Sequence, residues 1–69
     1  MGQRATLYSI PRLAAIRRAL FLNQKEFAKK IGISRTAVSG LESGKKATPE
    51  TVKKLAEALG MTREELIRP

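Results

Sequence analysis

Only Gly32, Ile33 and Ser34 separate two stretches that each repeat apolar side chains at helical spacing. A link this short, opening with glycine, forces the second helix to cross the first sharply instead of folding back beside it. The upstream stretch, residues 24–31, offers Phe27, Ala28 and Ile31 to a core, and the downstream stretch, residues 35–43, offers Ala37, Val38 and Leu41. Ala28 is small where the second helix must cross closely. Ile31, Val38 and Leu41 are apolar where the pair must seal onto the rest of the chain. The second helix then keeps a free face of Arg35, Thr36, Ser39, Gly40 and Ser43, mostly short polar side chains with no acid among them.

The same local grammar marks the other elements. Asn23 is a good N-cap with Glu26 three residues on and Leu22 and Phe27 flanking, a near relative of the capping box with its hydrophobic staple. Ser34 repeats the device with Ile33 and Val38. Thr62 repeats it with Glu65 at the third position and Met61 and Leu66 as the staple. Thr48 followed by Pro49 opens a helix without cost, since proline at the first helical position lacks only an N–H that would be unbonded anyway. Gly32, Gly44 and Gly60 sit where left-handed stop residues are wanted. For the first helix, Ser9 is the expected cap, Pro11 lies in the first turn, and Ile10, Leu13, Ile16, Arg17 and Leu20 form the inner face.

The pattern predicts helices over about 10–21, 24–31, 35–43, 49–59 and 63–67. The fourth carries Val52, Leu55, Ala56 and Leu59 on one face. No segment alternates with the period of a strand, so the fold class is all-α, five helices in one domain over residues 9–69. Residues 1–8 lack a pattern, carry Arg4, and are expected to form a mobile arm. Arg17 falls within the apolar stripe of the first helix and needs an anion there. Glu42 follows Val38 and Leu41 on the inner edge of the third helix and is the economical partner.

Charge narrows the function. The 69 residues include 14 Lys+Arg against 6 Asp+Glu, a formal charge of +8, with a pI of about 10.7. Cys, His and Trp are absent and every acid is Glu. No disulfide framework and no Cys or His ligand set for zinc, iron or haem is available, so neither metal nor cofactor is expected. Serine and threonine hydroxyls lack a plausible base, so an enzyme is not expected. The longest apolar runs, residues 13–16 and 19–22, fall far short of the roughly 20 needed to span a bilayer, and no signal peptide is recognisable. The expected compartment is the cytoplasm. So basic a domain attracts polyanions, and nucleic acid leads an anionic membrane surface and an acidic protein as the partner. A membrane-surface helix would put its charges and its large apolar groups on opposite faces of one continuous segment, unlike these short capped helices.

The free face of the third helix suits a major groove, which admits a helix and rewards short polar groups that let the backbone approach base edges. Arg35 can pair with guanine O6 and N7, and Thr36 with a base edge or a thymine methyl. At this point the chain resembles the phage-repressor and Cro-type (Xre) helix-turn-helix family. The resemblance runs through IRRALFLNQKEFAKKIGIS and AVSGLESGKKATPETVKKLAEALGMTREELI, over residues 13–67. It implies a lambda-repressor-like DNA-binding fold of five helices and a transcriptional regulator, expected to be a repressor. By the same resemblance, Gln24 anchors a backbone phosphate and buttresses the recognition helix, and Asn23 beside it reaches phosphate. Positions 35, 36, 39 and 40 read bases. Ser43, Gly44, Lys45 and Lys46 bind phosphate in the loop that follows. An Arg–Glu pair is common at positions 17 and 42. Two positions depart from the pattern: Gly40 stands where relatives often carry a long polar side chain, and Phe21 where they often carry glycine or a polar residue.

Relatives bind two half-sites, so the expected partner is an inverted-repeat operator in double-stranded DNA bound by a homodimer. Met61, Leu66 and Ile67 are candidates for the two-fold contact, unless Met61 and Leu66 are needed to close the core. The rival reading is an interaction module, because many antitoxins use this fold to hold a toxin or other partner protein.

Overall fold

The computed structural model describes residues 6–69, of which the helices are α1 (Leu13–Ala19), α2 (Gln24–Ile31), α3 (Arg35–Glu42), α4 (Pro49–Leu59) and α5 (Arg63–Ile67). The last four match the expected bounds to within a residue, since their starts and stops are written locally. Asn23 Oδ1 accepts from the Glu26 N–H at 2.7 Å while Glu26 Oε1 accepts from the Asn23 N–H at 2.9 Å, a complete capping box. Thr62 and Glu65 form the second one at α5. Ser34 and Thr48 cap α3 and α4. None of the helices is long and apolar enough to cross a membrane.

The first helix is shorter than its spacing implies. It starts at Leu13, not near Ile10, and Ser9 does not cap it. Ile10 precedes Pro11, whose ring disfavours the helical conformation in the residue before it. Ile10 instead anchors a turn, accepting from the Leu13 N–H at 3.2 Å, and buries its side chain. Leu20, expected on the inner face, is 42% exposed, because the chain has left the helix by then.

The expected arm also changes at its inner end. Residues 1–5, including Arg4, lie outside the described residues. Tyr8 is held: its N–H donates to the Ala47 carbonyl at 2.9 Å and the Ala47 N–H returns to the Tyr8 carbonyl at 2.7 Å. This isolated antiparallel bridge ties the segment before α1 to the loop after α3. The Arg63 guanidinium lies 5.9 Å from the centre of the Tyr8 ring, within cation–π range.

The core is one cluster. Phe27, Leu13, Leu55, Leu66, Val38 and Val52 are fully buried. Ala28, Ile31, Leu41 and Ala47 complete it with Ile10, while Ala56, Leu59 and Met61 pack around its edge. Ala37, placed in the core by its spacing, is half-buried. α2 packs on α3 and α4, α4 on α5, and α1 on α3. α3 is thereby supported on one side only.

Four helices end alike. In each, an N–H bonds a carbonyl five residues back across a residue of positive φ: Leu22 to Arg17, Ile33 to Ala28, Lys45 to Gly40 and Met61 to Ala56. The residues at positive φ are Phe21, Gly32, Gly44 and Gly60. Glycine accepts this conformation freely. A residue with a Cβ does not, at a cost of roughly 1–2 kcal/mol. Phe21, at φ 59, is the exception.

Candidate nucleic-acid interface

The two helix starts on either side of the Gly32 turn set the geometry of the site. In α2 the capping box consumes the Asn23 and Glu26 N–H groups, and the Phe27 N–H bonds the Asn23 carbonyl. That leaves the Gln24 and Lys25 N–H groups without an acceptor among the described residues. In α3 the Ser34 hydroxyl takes the Ala37 N–H and the Ser34 carbonyl takes the Val38 N–H. The Arg35 and Thr36 N–H groups are left in the same way. Unbonded N–H groups at a helix start, reinforced by the helix dipole, favour anions.

The side chains gather around these donors. One recess is lined by Arg17, Asn23, Gln24, Lys25 and Arg35, and a second by Arg35, Thr36 and Ser39. Arg35 belongs to both. It therefore joins the residues expected to hold phosphate at the start of α2 to those expected to read bases on α3. Arg35, Thr36 and Ser39 are exposed, whereas Gln24 is half-buried.

Behind the recess stands the expected ion pair. Arg17 Nε donates to Glu42 Oε2 at 2.6 Å and Nη2 to Glu42 Oε1 at 3.1 Å, a two-point contact. The remaining Nη1 donates to the Leu22 carbonyl at 2.9 Å. Gln24 Nε2 donates to the same Glu42 Oε1 at 3.1 Å. One carboxylate thus collects α1, the start of α2 and the end of α3. The Arg17 hydrogen bond, aided by that of Gln24, holds the Glu42 carboxyl below its ordinary range against the opposing effect of burial, and the bond to Glu42 raises Arg17 in turn. A carboxylate accepts and cannot donate, so Gln24 must turn its NH2 group inward, and one amide hydrogen remains for an outside anion. The Gln24–Glu42 bond was not foreseen. Its two residues lie 18 positions apart, and only the crossing of α2 over α3 brings them together.

The far end of α3 is arranged differently. Ser43, Gly44, Lys45 and Lys46 line neither recess. The Ser43 hydroxyl donates to the Ser39 carbonyl at 2.8 Å, so its hydrogen is already committed within the helix. The Gly44 and Lys45 N–H groups are also spent, on Leu41 and Gly40. The Lys46 N–H, which has no acceptor among the described residues, and the exposed Lys45 and Lys46 side chains remain open to an anion in this loop. Gly40 has no side chain with which to read a base, and it lies under Lys45: a Cβ there would sit 3.1 Å from Lys45 Cδ. The bridge to Tyr8, which sequence patterning missed, clamps this loop at buried Ala47. At the other end of the chain Leu66 is fully buried and Met61 packs on the core, leaving Ile67 as the candidate dimer residue that the core does not use.

Comparison with known proteins agrees with this geometry. A helix-turn-helix family model matches residues 13–66, the span from the first residue of α1 to the penultimate residue of α5. The crystal structure of a hypothetical transcription factor, NHTF, from Neisseria superposes with a TM-score of 0.74 at 29% identity, covering 84% of this chain and 68% of that one. With five helices among the described residues, α2 packed on α3 across the Gly32 turn, and a family match over most of its length, the chain belongs to the phage-repressor-like (Xre) helix-turn-helix family.

Proposed function

We propose that this chain is a sequence-specific regulator of transcription that binds double-stranded DNA, lays α3 in the major groove and acts as a repressor in the cytoplasm. The observation that carries this reading is the exposed, acid-free face of α3, whose first two N–H groups are open and which shares Arg35 with the recess at the start of α2. Arg35 and Thr36 read base edges, with Ser39 close to the groove floor. Gly40 contributes by leaving room for Lys45, not by reading. Asn23, Gln24, Lys45 and Lys46 hold phosphates, with Ser43 and Gly44 shaping the loop between the two sets. Family membership and the likeness to a transcription factor support the assignment. One recognition helix reads few base pairs, so two copies bind an inverted repeat with half-site centres about one DNA turn, roughly 34–36 Å, apart. Ile67 is the candidate for their contact.

The test is selection of bound duplexes from a random pool at about 150 mM salt, which suppresses purely electrostatic binding. An enriched inverted repeat is the expected result. Binding without enrichment would favour a partner protein, such as a toxin, as the true target. On the selected duplex, Arg35→Ala should relax base preference by about 1–3 kcal/mol, whereas Lys45→Ala should weaken specific and random duplexes alike and reduce the salt slope by about one. Identical behaviour of the two variants would refute this division of roles.

A further inference from the structure

Phe21 is costly to the fold on two counts. It is a bulky aromatic at φ 59, the conformation that Gly32, Gly44 and Gly60 supply at the other three matching helix ends. It is also 93% exposed, so its ring gains almost nothing from internal packing. Backbone strain of this kind points from an observed outlier to a function.

We propose that the Phe21 ring is a DNA contact, packing on the deoxyribose edge of the duplex beside the phosphate held at the start of α2. The inference rests on the DNA-binding reading above and extends it to a residue outside the recognition helix. Phe21 lies two residues before Asn23, a span of at most about 7 Å of chain. Asn23 lines the recess with Gln24, Lys25 and Arg35. The backbone that carries the ring is held in place, because Arg17 Nη1 donates to the Leu22 carbonyl and the Phe21 N–H donates to the Arg18 carbonyl at 2.9 Å. Arg18 before Phe21 and Lys25 after it in sequence are exposed cations, whereas Arg17 is paired with Glu42. The occupant must therefore be polyanionic and yet offer carbon surface to an aromatic ring. A nucleic-acid backbone does both, with phosphates for the open Gln24 and Lys25 N–H groups and sugar carbons for Phe21.

The chain has no tryptophan, so Phe21→Trp places a single fluorescent reporter at this position. Addition of the selected operator duplex should blue-shift its emission. Phe21→Gly should keep or raise the melting temperature, lower affinity by roughly tenfold, and leave base preference and the salt slope unchanged, as loss of an apolar contact requires. Emission that stays at its solvent position under saturating duplex, or unchanged affinity in Phe21→Gly, would overturn the inference and leave the DNA-binding reading intact. A blue shift that appears with rising protein concentration alone would also overturn it, assigning the ring to a second copy. Failure of the unaltered chain to select any duplex would overturn both.

Discussion

The α1–α2 and α2–α3 junctions close with the same hydrogen bond and are built from opposite materials. At the second, Gly32 takes positive φ without strain, and Ile33 turns inward to pack on the core. Among the described residues no side chain from elsewhere hydrogen-bonds to this turn. At the first, Phe21 takes the same conformation under strain, and Arg17 reaches over to hold the Leu22 carbonyl. That arginine is itself held by Glu42 of α3. One turn is secured by its own backbone, the other by a side-chain network that also carries Gln24. The lesson is that a turn can be local in its bonds and tertiary in its support.

Removing the network should have the largest effect. Glu42→Ala leaves Arg17 without its anion and releases both Leu22 and Gln24. The side chains of Arg17 and Glu42 retain 13% and 10% of their exposure, so the pair is part-buried and its loss should be destabilising, because Arg17 is left without its anion. Thermal denaturation should show a clear fall in melting temperature, with loss of duplex binding. An unchanged melting temperature would mean that the first turn is as self-sufficient as the second. The pair also has an acid signature. Glu42 is held below its ordinary value of 4.5, so its contribution is present in full above that value and is lost as pH falls through the lower folded value. Melting temperature should therefore decline more steeply below pH about 4.5 for the unaltered chain than for Glu42→Gln. Glu65, lowered by its bonds to Thr62, should leave a residual acid slope in both.

Next in size is Gly32→Ala. A Cβ there meets no atom within 4 Å, so the cost is conformational, roughly 1–2 kcal/mol. Chemical denaturation should show this loss, and the gain in Phe21→Gly at the equivalent position should be of opposite sign. Two shifts of the same sign would break the comparison. The smallest effect belongs to the end of α3. Gly40→Ala should add about 0.5–1 kcal/mol of helix stability and yet weaken duplex binding, because the new Cβ displaces the Lys45 stem. A gain in both would show that Lys45 does not depend on the gap.

Much of this was legible from residues alone, for identifiable reasons. Asn23 with Glu26, Thr62 with Glu65, and Thr48 before Pro49 each specify a helix start within four residues, and the observed starts agree. The Arg17–Glu42 pair could be found because two charges in apolar stripes have few ways to be satisfied. Ser43 was a phosphate candidate through the resemblance alone, and only the helix geometry shows its hydroxyl donating to the Ser39 carbonyl. The resemblance places Gly40 among the base-reading positions, as a departure from its pattern, and the Lys45 stem beside it is visible only in the structure.

The sequence by itself determined the number of helices, the ends of four of them and the crossing at Gly32, because caps, stops and short links act through neighbours a few residues apart. Tertiary structure alone decided that Tyr8 clamps the Ala47 loop, that Gln24 shares a carboxylate with Arg17, and that Phe21 stands in solvent. Each of these depends on segments far apart in the chain meeting or failing to meet, and distance through space is set by packing, which local pattern does not encode.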